Sequence, residues 1–415
     1  MEGTLKIAVV DGYSTGRVLS RRLKERGARS FHVQSRPDIH PYYLKGFQPS
    51  DFEADLGHDP DIESLVTRLG ELGVERVVPG TESGVLLADR LSDRLGLPGN
   101  RADLADASCD KTRMAEVAAS GGVVVPRGRS FRDAEEAVGW YRSAGLAGVV
   151  AKPVASAGSD HVYFCDDAES LLRACRWVLE TANVYGDAND SVLVQERVFG
   201  TEYFVDTVSC EGHHKIAEVW RYTKTVNADG IPLYDYQEPV TPGSPEWLRL
   251  RDFTRTVLDV LGIRNSPAHT EVMLTDSGPV LIETGARLGG GTLPDVVDKQ
   301  CGLSQTTMYV DSLFDPGWLI GYDDAAAELD RAVRFVDLNN RFPGVVASLE
   351  WRRAIEALPT FAGMATGAVP GHELGPTTCL LDSPGFVYLA ADDPDQVVAD
   401  YDALRTFESQ PFYTA

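Results

Sequence analysis

Glu271 and Glu283 stand on either side of a short turn in PAHTEVMLTDSGPVLIETGARLGGG, Pro267 to Gly291, with Arg287 and Gly289-Gly290-Gly291 behind them. Read as a hairpin, TEVMLTDSGPVLIE has a three-residue loop at Asp276-Ser277-Gly278, a type I turn closed by a left-handed glycine. That register sets Thr275 opposite Pro279 and Glu271 opposite Glu283. Opposed side chains share a face, with Cβ atoms about 4.5–5.5 Å apart. Two carboxylates that close repel, so a shared proton, a basic side chain or a divalent cation must compensate. Oxygen-only ligands suit Mg²⁺, which takes one or two carboxylates and leaves its other positions to phosphate and water. The bland alternative is a pair of solvated surface glutamates. Arg287 and the glycines weigh against it. An arginine clamps a phosphoryl oxygen or carboxylate, and glycines let backbone N–H groups approach a ligand. Metal, phosphate and oxyanion donors together point to phosphoryl or acyl-phosphate chemistry.

Several other residues have types and places that suit the same chemistry. Lys152 ends the apolar strand GVVAKPV beside the small-residue loop ASAGSD. A buried lysine needs an anion, and nucleotide phosphate is one; the alternative is a lysine that snorkels to water. Lys111 sits near a helix start, where a surface lysine is common. In WRYTK, strand alternation puts Trp220, Tyr222 and Lys224 on one face. Lys224, ahead of Arg221, is the candidate for a terminal phosphate, against a reading as exposed strand cations. His269 shares the face of Glu271, either touching substrate or as a satisfied structural histidine. Glu82, in PGTESG at the C-terminal end of a strand, lies where open α/β sheets bind ligands. His213-His214 point to opposite faces of a strand, which argues against a two-histidine metal site.

The elements that must position these residues follow from pattern. KIAVV, FHVQS and VERVVPG read as strands, alternating with helices over VLSRRLKERG and IESLVTRLGELG. This is a parallel α/β unit over about the first hundred residues. Asp11-Gly12 with Gly16 lacks the full G-x-G-x-x-G spacing and reads as an ordinary β–α turn. From Asp106 follow a helix, a Gly-Gly stop and a short strand at VVVP, then the hairpin around ASAGSD, then SVLVQERV. TEYFVDTVSCEGHHKIAEVWRYTK gives two more strands, Val226 to Pro245 an irregular segment in which Tyr234, Asp235 and Tyr236 line the substrate pocket, and WLRLRDFTRTVLDVLG an amphipathic helix. GFVYLAA is a late strand.

At 415 residues the chain is long enough for two or three domains. With 39 basic against 62 acidic residues it lacks the basic face that nucleic-acid binding needs. No apolar run is long enough to cross a bilayer and MEGTLKIAVVDGYSTG lacks a signal-peptide layout, so no membrane partner is expected. The six cysteines form no CxxC pair and fit scattered thiols in a reducing cytoplasm.

Four landmarks, DKTRM (Asp110–Met114), VVAKPVASAGSD (Val149–Asp160), VLVQERVFGTEYFVD (Val192–Asp206) and HTEVML with IETGAR, occur in order over roughly residues 100–300. This set resembles the ATP-grasp carboxylate–amine ligases, and most the L-amino acid (dipeptide) ligase branch. The resemblance implies an ATP-grasp fold, α/β with an α+β lid, behind an N-terminal parallel α/β domain. Its expected units are residues 1–105, a lid over 106–193, and a large subdomain with a C-terminal α+β extension over 194–415. It implies ATP phosphates on Lys111, Lys152, Ser156 and Gly158, and Lys224 at the γ-phosphate. Adenine would meet Gln195, the Glu196 carbonyl and the Val198 N–H, and the ribose Glu202. Mg²⁺, or Mn²⁺ in its place, would sit on Glu271 and Glu283. A substrate carboxylate would attack the γ-phosphorus, giving an acyl phosphate and ADP. An amine, most simply of a second amino acid, would then attack the acyl carbon, with Arg287 and the Gly290 N–H on the oxyanion. Glu82 would hold the substrate amino group, His269 its carboxylate or acyl phosphate. The other reading is an ATP-grasp enzyme acting on a non-amino-acid carboxylate or bicarbonate. One position departs: the commonest form has asparagine two residues after the second glutamate, and here it is Gly285. That leaves metal number and geometry open, and it is a trait of the dipeptide-ligase branch. Small-molecule acids and amines are the expected partners, and a homodimer is the base-rate expectation.

Overall fold

The computed structural model describes residues 4–414 apart from 40–43, 45, 157, 159, 184, 227–231 and 381. β1 (Lys6–Val10), β2 (Arg29–Gln34), β3 (Ala54–His58) and β4 (Arg76–Pro79) form the expected parallel sheet, in the order β3-β2-β1-β4. β3 carries no apolar signature because it is an edge strand with no fully buried residue. β1 is apolar throughout because both sheet faces are covered. α2 (Ile62–Leu72) and α3 (Val85–Leu95) cover one, with Leu65, Leu69, Ala88 and Leu91 on Ala8 and Val10. α1 (Thr15–Glu25) and the helix Gln305–Phe314 cover the other, packing Leu19, Leu23, Met308 and Tyr309 on Ile7 and Val9.

The lid is a four-stranded antiparallel sheet, β5-β8-β6-β7: β5 (Gly128–Phe131), β6 (Val149–Pro153), β7 (Tyr163–Cys165) and β8 (Val192–Glu196). Its period of two decides what faces where. Val149, Ala151, Val192 and Val194 pack against the helices Ala134–Ala144 and Ala168–Glu180. Lys152 opposite Leu193, and Gln195 opposite Val150, take the other face. VVVP forms no strand. The Val124 carbonyl instead accepts the Leu281 N–H at 2.9 Å, tying the segment to the large sheet.

The large sheet is antiparallel, in the order β13-β12-β9-β10-β11-β14-β18-β16. Its strands are β9 (Thr201–Cys210), β10 (His213–Val226), β11 (Pro232–Pro239), β12 (Pro267–Thr275), β13 (Gly278–Gly285), β14 (Ala332–Asp337), β16 (Phe361–Thr366) and β18 (Gly385–Ala391). β15 (Gly344–Val345) and β17 (Glu373–Leu374) form a separate two-stranded ribbon. β11 corrects the irregular reading of Val226 to Pro245: Thr223 pairs with Tyr236 across β10, and Tyr236 with Val336 across β14. Sheet pairing gives Pro232–Pro239 a regularity that its prolines and tyrosines hide, while residues 227–231 lie outside the described residues.

The helix Pro245–Leu261 covers one face of β9, β12 and β13. Trp247 and Leu250 pack on Tyr203, Val205 and Val272, while Val257, Leu258 and Leu261 pack on Ala268 and Leu281. The helix Lys111–Ser120 joins the same core through Met114, Val117 and Ala118. Alternation then sends Glu202, Phe204 and Asp206 of β9, and His269 and Glu271 of β12, to the opposite face.

Asn100 staples the N-terminal unit to the large one. Its amide donates to Asp89 (3.0 Å) and Ser266 (3.1 Å), and its carbonyl accepts the N–H groups of Arg264 and Asn265. Burial pushes the Asp89 carboxyl up to about 7, and its second oxygen has no partner. The folded state therefore binds a proton that the unfolded chain has released above about pH 4, so stability falls as pH rises from about 4 to about 7. Asp89→Asn removes that term. It is expected to raise the melting temperature at pH 8, with a ceiling of about 4 kcal/mol, and the gain should shrink toward pH 4. Thermal melts of both proteins across that range check it.

Candidate active site

The hairpin is one residue tighter at its tip than the sequence suggests. Thr275 pairs with Gly278, and Leu274 with Pro279, so the loop is not the three-residue form. A bulge at Ile282 restores the register, and Glu271 faces Glu283 as expected. The pair is right because two one-residue offsets cancel.

Compensating charge comes from the lid side. Lys111 is the first residue of its helix, capped by Asp110, and is buried. Its ammonium donates to the Ser156 carbonyl at 2.6 Å and pairs with Glu283 at 2.9 Å. The Ser156 hydroxyl donates to Asp160 at 2.6 Å, and Gly158 next to it has φ +71°. Lys152 is also buried, so it does not snorkel to solvent. Burial, aided by Lys111, pulls its pKa down, while Glu283 and Glu271 oppose the shift. A cation in that state gains from a phosphate.

Lys224 pairs with Glu202 at 2.7 Å and lies 4.4 Å from the Tyr234 ring and 5.2 Å from the Tyr222 ring. Burial works against its charge, but Tyr234, Glu202 and Glu271 more than offset it, and its pKa rises. Arg221 points away, paired with Glu238 at 2.6 Å on an exposed surface, so it is not the alternative to Lys224. Of the tyrosine segment, Tyr234 stands at the site, whereas Asp235 does not: it accepts from Tyr401 and Arg405 in the C-terminal extension. Tyr236 meets Tyr401 edge to face there. Gln195 is buried on the lid's inner face. Glu196 is held by Arg127, through its carboxylate at 3.1 Å and its N–H at 2.7 Å, and Val198 follows just past the strand end. His214 is buried against Ser209 and Asp259, and its neighbour His213 is exposed, so they form no pair.

His269 lies between two acids, 2.6 Å from Asp206 and 3.9 Å from Glu271. Burial disfavours the imidazolium, but Asp206 and Glu271 outweigh it and lift its pKa to about 9. Glu271 is correspondingly held well below the carboxylate range: His269, Lys224 and Lys152 overcome its burial. Asp206 was legible only through strand alternation from Glu202. Gln305 carries no sequence signal: its side chain accepts the Gly289 N–H and donates to the Thr207 and Ala268 carbonyls, bracing the glycine run. Gly290, one residue on, is exposed.

Arg287 and Glu82, from different units, form one pair: Nε donates to Glu82 Oε2 at 2.7 Å. Burial opposes the guanidinium charge, and Glu82, Tyr185 and Glu283 overcome it. Glu82 is thus a partner of Arg287 first. Gly285 makes that pair possible. A Cβ there would lie 2.8 Å from Glu82 Oε2 and 3.5 Å from the Arg287 guanidinium carbon. The space that an asparagine would fill is taken by the carboxylate. Gly285→Asn is therefore expected to break the Glu82–Arg287 bond rather than to add a metal ligand. The expected result is a rise of about tenfold or more in the KM of the acid substrate, from loss of one charged hydrogen bond. ATP affinity should stay within about threefold, since no ATP-side contact changes. Steady-state kinetics against each substrate decide it.

Among the described residues no group of three or more His, Cys, Asp or Glu is arranged to hold a metal. The opposed Glu271 and Glu283 supply two carboxylates, a set that fits Mg²⁺ when phosphate and water complete its shell. Beside them a cavity of about 370 Å³ opens, lined by Glu283, Lys111, Glu82 and one face of α3.

A three-unit clamp of this kind, with a lid sheet facing an antiparallel sheet, is the ATP-grasp fold, and residues 147–295 match the ATP-grasp domain family. The chain carries an ATP-grasp domain. It is 29% identical over 416 residues, 98% of this chain and 96% of the relative, to dapdiamide A synthase of Enterobacter agglomerans. It is 21% identical over 255 residues, 59% of each chain, to the L-arginine-specific L-amino acid ligase of Bacillus subtilis. The crystal structure of an L-amino acid ligase from Bacillus licheniformis superposes with a TM-score of 0.74 at 17% identity, covering 98% of both chains.

Proposed function

We propose that this chain is an ATP-dependent ligase that joins an amino-acid carboxylate to an amine through an acyl phosphate, releasing ADP and phosphate. The observation that carries the reading is the convergence of Lys111, Lys152, Glu271 and Glu283 from lid and sheet on the Glu82–Arg287 pair. The likeness to the L-arginine-specific L-amino acid ligase of Bacillus subtilis supports the choice of amino-acid substrates. In this reading residues 1–105, 106–193 and 194–415 are the substrate, lid and large units.

ATP would lie between the lid face bearing Lys152 and Gln195 and the sheet face bearing Glu202 and Lys224. Lys111, Lys152 and the Ser156–Gly158 loop would take its phosphates, and Gln195, Glu196 and Val198 the adenine edge. Mg²⁺, held by Glu271 and Glu283, would neutralise charge on the phosphates. Arg287 and the Gly290 N–H face the acyl carbon's oxygen, and His269, braced by Asp206, positions the acid. Closing the lid would keep water from the acyl phosphate. Cys109, Cys165, Cys175, Cys210 and Cys301 form no disulfide, which fits a cytoplasmic protein. Among the described residues no helix is long and apolar enough to cross a membrane. A homodimer is the simplest assembly.

The test is nucleotide release from ATP and Mg²⁺ with single and paired amino acids. ADP and phosphate formed only with particular amino acids support the reading. AMP and pyrophosphate overturn it. ADP formed with bicarbonate or a plain organic acid alone moves the enzyme to the other ATP-grasp class.

A further inference from the structure

The cavity beside Glu283 has two chemically different ends. At one end are Lys111, Glu283 and Glu82. From there the wall runs through Ser83, in the short turn before α3, and along α3, which presents Leu86, Leu87 and Arg90. Leu86 and Arg90 are one helical turn apart on the same face, and Arg90 lies two turns, about 12 Å along the axis, beyond Glu82. The wall therefore reads polar, then apolar, then cationic.

The cations on this wall differ in what they hold. Lys111 is paired with Glu283, and Arg36 with Asp187 of the lid. Arg90 alone takes part in no hydrogen bond, ion pair or ring contact among the described residues. A guanidinium binds a carboxylate through two parallel hydrogen bonds. We infer that Arg90 is a specificity residue that binds a carboxylate at the far end of the substrate cavity, beyond an apolar segment lying on Leu86 and Leu87. This inference rests on the ligase reading of the same site. The spacing selects a distal acid group on the acyl donor, because the α-carboxylate of an amino-acid acceptor is one carbon from its reacting amine and does not reach across Leu86 and Leu87.

Calorimetric binding to the full chain with ATP analogue and Mg²⁺ present tests the inference without turnover. The donor pair is N-succinylglycine and its distal amide, N-succinamoylglycine. Leucine and leucinamide, whose carboxylate and amide are next to the amine, are the control pair. Within each pair the probes are matched in length and differ in one carboxylate. Arg90→Gln is expected to weaken N-succinylglycine tenfold or more and its amide less than twofold. A shift confined to the leucine pair contradicts the inference. Arg90→Glu is expected to reverse the preference, favouring the amide, a change that loss of packing would not produce. Arg90 is exposed, so both variants should fold, and melting temperatures check this. If Arg90→Gln shifts neither carboxylate by more than twofold, or Arg90→Glu leaves the preference as it was, the inference is wrong. The ligase reading fails separately, if the unsubstituted enzyme makes AMP, whatever Arg90 binds.

Discussion

Arg287→Ala is expected to lower kcat for ligation about 10²–10³-fold, the usual effect of removing one oxyanion donor. The guanidinium is held on its Nε side by Glu82 and by its own neighbour's carbonyl, Leu288, at 3.1 Å, so its aim is fixed before substrate arrives. Fixed donors act on charge that develops during reaction without reorganising. Removing the side chain also strands Glu82, a carboxylate with side-chain exposure of only 18%. Arg287→Lys separates the two effects. It keeps the charge but loses the planar fork, and it should recover only a small part of the rate. ATP binding should be intact in both, because the proposed partner of the arginine is the acid substrate and not ATP. Single-turnover rates with saturating ATP measure the loss.

Glu283→Gln is expected to be as severe, about 10³-fold in kcat, reflecting the several kcal/mol that a metal ion contributes to phosphoryl transfer. Its charge has three uses in the structure. It opposes Glu271 as half of the two-carboxylate set, it pairs with Lys111 at 2.9 Å, and it is the leading attraction that offsets burial of Lys152. The amide keeps the volume and removes the charge. Both lysines then face each other with less to hold them, and the Mg²⁺ concentration for half-maximal activity should rise at least tenfold. Magnesium titrations of the variant, with nucleotide binding measured alongside, report the two effects separately.

The chemistry of the site was legible because it rests on local pattern. Opposed glutamates across a turn, a lysine at the end of an apolar strand and a glycine run are short-range features. So are the alternating strands and helices of the first hundred residues. What stayed hidden was long-range. Glu82 meets Arg287 across 205 positions of sequence, and no pattern in PGTESG or IETGAR announces that bond. Gly285 looked like a missing ligand, and in space it is the socket for a carboxylate from another unit. β11 looked irregular because its pairing partners come from β10 and β14. β3 carries no strand signature because an edge strand needs no apolar face. The Glu271–Glu283 register shows the opposite hazard. The pairing expected is the pairing found, but a shorter loop and a bulge, not the predicted turn, produce it.

In the proposed reaction the substrate carboxylate takes the γ-phosphoryl group of ATP, and one of its oxygens leaves with the phosphate. An amino acid labelled with ¹⁸O in its carboxylate is ligated with unlabelled ATP, and the inorganic phosphate is analysed by mass. One labelled oxygen in the released phosphate, with ADP as the nucleotide product, is the result predicted. Label in AMP, or unlabelled phosphate beside a formed amide bond, would contradict it.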